Sequence, residues 1–263
     1  MTLQAVAAGC TIFFGYVFFS SALQYLFYYK RSGSVTKWKT QPHKNTHVGI
    51  GAGTWWFSIW NTKSARGPYH LQFTTFNLIF ASLSAYFITE WSAQGKTKMQ
   101  FDPVSSYGWF SILCDFMVAV IYESVVEYYW HRLMHLRLFY GIFHKYHHFY
   151  KSPEPFDDMY IHPVEAIGYY CILFGPPLIF KIHYISFIAY MIIMGLCGVL
   201  DHSGISLACG IYDTVDHDLH HEKFDVNYSF PFPILDILHG TYHGTYLGIT
   251  RSIQNDLTKR KSH

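Results

Sequence analysis

From residue 5 to residue 29 the chain carries no charged side chain, and further apolar runs follow at about 71–91, 108–130, 164–180 and 184–200. About 20 apolar residues suffice to cross a bilayer as a helix, and in lipid a helix satisfies its own backbone hydrogen bonds. The expected fold is therefore an all-α integral membrane protein with about four transmembrane helices. The third run and the last pair lead into a helical cap at the membrane surface. Composition agrees: 14% of residues are charged, against about 25% in soluble domains. The first basic residue is Lys30, so residues 5–29 lack the basic start of a cleavable leader and are expected to remain as the first transmembrane helix. The last two runs flank Gly175-Pro176-Pro177, which breaks a continuous helix. They form either a full hairpin or a re-entrant pair.

The loops set an orientation. Residues 30–70 carry Lys30, Arg31, Lys37, Lys39, Lys44, Lys63 and Arg66, whereas residues 92–107 carry only Lys96 and Lys98. The positive-inside rule puts the first loop in the cytosol, and with it everything from His131 to His148 and the tail from residue 202. Trp91, Trp109 and Trp130 stand near the ends of runs, as interfacial anchors do. Trp55, Trp56 and Trp60 mark either an interfacial helix or a buried aromatic cluster. The net charge of +2 gives no electrostatic reason for a nucleic-acid partner. Five cysteines form no C-x-x-C pair, so neither a disulfide framework nor a zinc ribbon is implied.

Seventeen histidines are present, and they cluster. One box is His131-Arg-Leu-Met-His135. A second is His144-Lys-Tyr-His147-His148, and a third is His217-Asp-Leu-His220-His221. Random placement would give one H-x-x-H-H box in only about 0.07 chains of this length, so two of them beside an H-x-x-x-H point to a built site. On a helix, residues three and four apart share a face, so each box aims two or three imidazoles at one point. Eight such rings on converging segments can ligate two metal ions. Imidazole suits iron, zinc, copper and nickel, and spacing alone admits zinc, although no H-E-x-x-H hydrolase motif is present. His162, in His162-Pro-Val-Glu165, and His202, in Asp201-His-Ser-Gly204, are further candidate ligands. His43, His47, His70, His183, His239, His243 and His263 are assigned no role.

Glu123, Glu127, His131 and His135 follow at intervals of four, a stripe entering the membrane from the metal site. Intramembrane carboxylates usually face a bundle interior, and a ligating histidine needs an acceptor for its other N–H. Glu127 is expected to serve a first-box histidine. Asp201, Asp216 and Asp218 are candidates for the same task near the third box.

These boxes, with Asp201–Gly204, His220-His-Glu-Lys-Phe-Asp-Val-Asn227-Tyr and Asp236-Ile-Leu-His-Gly240-Thr241, resemble the fatty acid hydroxylase/sterol desaturase superfamily of membrane di-iron oxidases over about residues 108–245. The resemblance implies two irons held by the box histidines, O2 as oxidant, electrons from NAD(P)H through cytochrome b5 or its reductase, and an endoplasmic-reticulum membrane. It also singles out Asn227, beside Glu127, as a catalytic candidate. The details are most similar to the sterol branch: cholesterol 25-hydroxylase, C-4 methylsterol oxidase and C-5 sterol desaturase. Members often carry His, Asp or Asn where this chain has Ser206, which bears on the ligand count. No His-Pro-Gly-Gly haem motif is present, so the electron donor is expected to be a separate protein.

The expected organisation is a membrane segment at 1–107 with two transmembrane helices, a catalytic region at 108–245 and a cytosolic tail at 246–263. Lys259-Arg-Lys261-Ser-His263 fits a K-x-K-x-x retrieval signal, and the Asn227-Tyr-Ser229 sequon is expected to be silent on the cytosolic side. The function this implies is oxidation of a membrane-lipid C–H bond, a sterol first. The alternatives are a fatty acyl, sphingolipid or alkylglycerol hydroxylase, a metal-binding membrane protein without turnover, and a zinc hydrolase.

Overall fold

The four longest apolar helices, α1 (Leu3–Leu23), α2 (His70–Ala93), α3 (Trp109–Met134) and α5 (Tyr184–Asp201), are each long and apolar enough to cross a membrane. The computed structural model describes residues 2–44 and 69–247 and the backbone of 249–251. With its following π-helical turn, α1 extends over Leu3–Tyr29, 27 residues, or about 40 Å at 1.5 Å per residue. The helices show large apolar side chains outwards as well as inwards. Phe14, Phe18, Phe110, Ile188 and Ile192 are all exposed, Phe18 at 76%. A helix that is hydrophobic all round belongs in lipid, so the chain is a multi-pass membrane protein.

The helix directions follow from contacts at their ends. Thr2 caps α1 by accepting from Ala5 N, and its own backbone N–H donates to Glu90 Oε2 near the end of α2 at 2.7 Å. Hence α1 and α2 are antiparallel. A Cβ at Gly9 would lie 3.0 Å from Ser82 O, so glycine lets the two backbones approach, as small residues do between membrane helices. Between α3 and α5, Ser186 Oγ donates to Ile112 O at 2.6 Å. Alanines at 81, 85, 119 and 166 fill the core together with Tyr170, Tyr190 and Met194. In consequence α1, α3 and α5 end, and α2 begins, at one face of the bundle.

The segment expected to be helical at 164–180 is shorter. Helix α4 (Pro163–Leu173) starts with proline in its first turn behind the cap residue His162. It stops before Gly175-Pro176-Pro177, and a four-residue turn follows. The chain still reaches the far end of the bundle. There β1 (Met99–Gln100) pairs in parallel with β2 (Ile182–His183), and His183 contacts Asp102 O at 2.9 Å. The last pair is therefore a full hairpin with a broken first limb. Trp91 and Trp109 are exposed at that far end, as anchors should be. Trp130 lies about one turn before the end of α3. Its indole lies over Gly168 of α4, where an added Cβ would overlap the ring at Cζ2.

All segments carrying histidine boxes lie at the opposite face: the end of α3, residues 135–162, and the region from 202 onward with α6 (Thr214–Lys223) and α7 (Ile234–His239). Trp55, Trp56, Trp60 and the basic tail at 259–263 lie outside the described residues.

Candidate metal centre

Nine of the ten histidines proposed from sequence converge in two groups. His131, His135, His144, His148 and His220 form one, and His147, His202, His217 and His221 form the other. Within each group the ligand-type nitrogens lie within 4.8 Å of one another. In the first, the Nε2 of His144 is 2.9 Å from that of His135 and 3.0 Å from that of His148. His220 Nε2 is 3.1 Å from His148 Nε2. In the second, His217 and His147 place Nε2 at 2.9 and 3.2 Å from His202 Nε2. The groups adjoin, with the rings of His148 and His221 4.9 Å apart.

The far side of each ring decides what these nitrogens are. A neutral imidazole has one N–H and one lone pair. Where Nδ1 donates to an oxygen, Nε2 is the lone pair. His131 Nδ1 donates to Tyr228 O at 2.9 Å, and His220 Nδ1 to Val226 O at 2.6 Å. His144 Nδ1 donates to the fully buried Glu165 carboxylate. His221 Nδ1 donates to Tyr150 O at 3.2 Å. His202 Nδ1 faces both Gly198 O at 2.8 Å and Asp158 Oδ1 at 3.2 Å. Five rings thus turn bare Nε2 atoms inward, and the buried Nε2 of His131 and His221 have no hydrogen-bond partner among the described residues. Lone pairs crowded at about 3 Å repel unless a cation lies between them. The donor set fits two metal ions.

Protonation does not supply that positive charge. Burial first, and then the neighbouring imidazoles, hold His135, His144, His148, His217 and His220 below the ordinary histidine range. His147 and His221 are lowered for the same reasons. The rings are therefore neutral, the form that binds metal. His202 differs: burial lowers it, but the hydrogen bond and charge of Asp158 outweigh that and raise it.

Four expectations differ from the observed geometry. His162 joins neither group. Its Nδ1 accepts from Val164 N as the cap of α4, and its ring packs on Phe73, Phe143 and Tyr146. Glu127 makes no hydrogen bond to a first-box ring among the described residues, and Tyr228 O takes His131 Nδ1. Glu127 lies beside Glu123, one turn deeper in the bundle, and Glu123 accepts from Tyr190 OH at 2.7 Å. Asn227, 2% exposed, is turned away from the rings. Its Nδ2 donates to Asp216 O and His243 O, and its Oδ1 accepts from His243 N. At φ 53° it shapes the turn that presents the Val226 and Tyr228 carbonyls. Asp201, Asp216 and Asp218 bond Tyr212, Tyr242 and Gln41 rather than imidazoles.

The model of the family described as Fatty acid hydroxylase matches residues 116–241, which span every converging histidine together with Glu165 and Asp158. Residues 116–241 belong to the fatty acid hydroxylase family. Among curated relatives of this fatty acid hydroxylase domain is a Delta(7)-sterol 5(6)-desaturase, ERG3A, of Gibberella zeae, 28% identical over 60% of this chain and 45% of its own. Lathosterol oxidase of Rattus norvegicus is 24% identical over 65% and 60%. A very-long-chain aldehyde decarbonylase, CER1, of Arabidopsis thaliana is 34% identical over 48% and 23%. The chain thus spans about half the length of the two sterol-enzyme relatives and less of the third. No solved structure matches it.

Proposed function

We propose that the protein is an O2-dependent di-iron oxidase that acts on a C–H bond of a membrane lipid, with sterols as the preferred class. The observation that carries this reading is the pair of imidazole groups, five of whose nine rings tie Nδ1 outward and face Nε2 inward, at the mouth of a transmembrane bundle. His131, His135, His144, His148 and His220 would hold one iron, and His147, His202, His217 and His221 the other. Bound iron supplies the activation of O2 that no side chain provides. The protein's own part is to fix the rings, exclude water and admit lipid. Glu165, Asp158 and the four carbonyls keep five of the nine rings, His131, His144, His202, His220 and His221, in one tautomer and one orientation. Burial keeps water from the oxidising centre. An apolar groove of about 450 Å³ between α3 and α4, lined by Val126, Tyr129, Leu133, Cys171 and Ile172, offers hydrocarbon a seat at the membrane face.

Sterol preference is supported by the relatives named as a sterol desaturase and as lathosterol oxidase. A long-chain acyl substrate is the second reading, favoured by the likeness to the aldehyde decarbonylase. The site face carries Lys30, Arg31, Lys37, Lys39 and Lys44, which supports a cytosolic site, an endoplasmic-reticulum location and electrons delivered by cytochrome b5 or its reductase. The test is lipid profiling of cells that express wild type, His131→Ala or His220→Ala. Product is expected from wild type alone, with each variant purifying as folded protein. Turnover in either variant refutes the ligand assignment. Zinc without iron in protein purified without added metal refutes the oxidase reading.

A further inference from the structure

Residues 149–162 form a strap of turns between the second histidine box and α4. Two of its groups face the four-histidine position: Tyr150 O accepts from His221 Nδ1, and Asp158 Oδ1 lies 3.2 Å from His202 Nδ1. The five-histidine position takes no outward acceptor from the strap among the described residues. Its outward acceptors are Tyr228 O, Val226 O and Glu165.

The strap is pinned from the N-terminal part of the chain. Gln24 Nε2 donates to Glu154 Oε2 at 3.2 Å, and Gln41 Nε2 to Lys151 O at 2.7 Å. Asn77 Nδ2 donates to Met159 O at 2.9 Å and Ile161 O at 2.8 Å. The pin on the residue before Asp158 is His70, the first residue of α2. Its Nε2 lies 2.9 Å from Asp157 Oδ1, with both residues buried. The other oxygen, Asp157 Oδ2, accepts from Glu154 N at 2.8 Å and closes the turn. The His70 ring also lies against Tyr160 at 4.7 Å between centroids.

We propose that His70 is a positioning residue for the four-histidine metal position. Through Asp157 it fixes the turn, so that Asp158 and the Tyr150 carbonyl meet His202 and His221 in the ligating orientation. This rests on the dimetal reading above. It also gives the N-terminal part of the chain a function: Gln24, Gln41, His70 and Asn77 all precede residue 116, so a scaffold outside the fatty acid hydroxylase domain completes half of its metal centre.

The test is an epistasis experiment on full-length protein in lipid nanodiscs. Iron per chain is counted against a competing chelator. His70→Ala is placed in three backgrounds: wild type, His217→Ala with the four-histidine position disabled, and His220→Ala with the five-histidine position disabled. Loss of an orienting partner typically weakens metal binding by about 10-fold or more. At limiting iron, His70→Ala is expected to lower the wild-type count from two ions toward one. It should change nothing in the His217→Ala background and should weaken the remaining ion about 10-fold in the His220→Ala background. His70→Gln retains a donor toward Asp157 and is expected to recover most of the loss, which separates positioning from general damage. Two ions in wild type with equal losses in both backgrounds, or no loss in either, overturn the assignment of His70 alone. Fewer than two ions in wild type overturn the dimetal reading and this assignment with it.

Discussion

Replacing Glu165 separates the charge of an outer carboxylate from its bulk. The side chain is 0% exposed, one oxygen takes His144 Nδ1–H, and the other has no partner among the described residues. Glu165→Gln preserves volume and an acceptor oxygen but removes the charge. Hydrogen bonds to charged groups contribute about 1.5–3 kcal/mol and neutral ones about 0.5–1.5. The substitution should therefore weaken iron at the five-histidine position by about 1 kcal/mol, roughly fivefold. Glu165→Ala removes the acceptor and strands the buried Nδ1–H of His144. For an outer-shell partner of this kind the loss is roughly 10–100-fold, or about 1.4–2.7 kcal/mol. The assay is chelator competition in a His217→Ala background, so that only the five-histidine position is read. The expected order of affinity is Glu, then Gln, then Ala. If Gln and Ala both bind iron like wild type, or if the same losses appear in a His220→Ala background, the carboxylate does not tune that position.

Glu127→Gln is expected to leave two ions bound, since its neighbour is Glu123 and not an imidazole; loss of one ion by metal analysis would contradict that placement. Gly168→Ala drives a methyl into the Trp130 indole, and overpacking of about 1–3 kcal/mol should exceed the roughly 1 kcal/mol that alanine gains over glycine in a helix. A lower melting temperature checks it, and an unchanged or higher one refutes the contact. Asn227→Ala removes three hydrogen bonds in the turn behind the third box. A stability loss of about 2–4 kcal/mol is expected on the scale of buried polar groups left unpaired, measured by denaturant or thermal unfolding, with iron binding weakened rather than abolished. Stripping iron should lower the melting temperature, because each ion held at a hundredfold its Kd adds about 2.7 kcal/mol; equal melting with and without metal would argue against the site.

The spans and the nine converging histidines were legible because each rests on local pattern. An uncharged run long enough for a bilayer leaves a helix few alternatives, and His131 and His135 share a face wherever α3 continues to Met134. The acceptors were not legible. Tyr228 O, Val226 O, Tyr150 O and Gly198 O are main-chain atoms, which every residue possesses, and only the tertiary fold brings them to an imidazole. Glu165 did stand in the His-Pro-Val-Glu run, but the histidine there drew the ligand assignment. Proline in the first turn makes His162 a helix cap and turns Glu165 inward. Asp158 and His70 gave no signal, because their partners lie 44 and 87 positions away in the chain. The first limb of the last hairpin proved short for a reason the sequence did show, since Gly175-Pro176-Pro177 ends α4 early.

That four of these outward contacts are carbonyl oxygens bears on how such a centre tolerates change over evolutionary time. A side chain at position 150, 198, 226 or 228 can be exchanged and the oxygen stays where the backbone carries it. A single inserted or deleted residue between His220 and Tyr228 slides the oxygens past their rings while leaving every ligand in the sequence. Selection at this centre acts on the count of residues between landmarks as much as on their identity, and a homologue that kept all nine histidines but altered that count would hold its metals poorly.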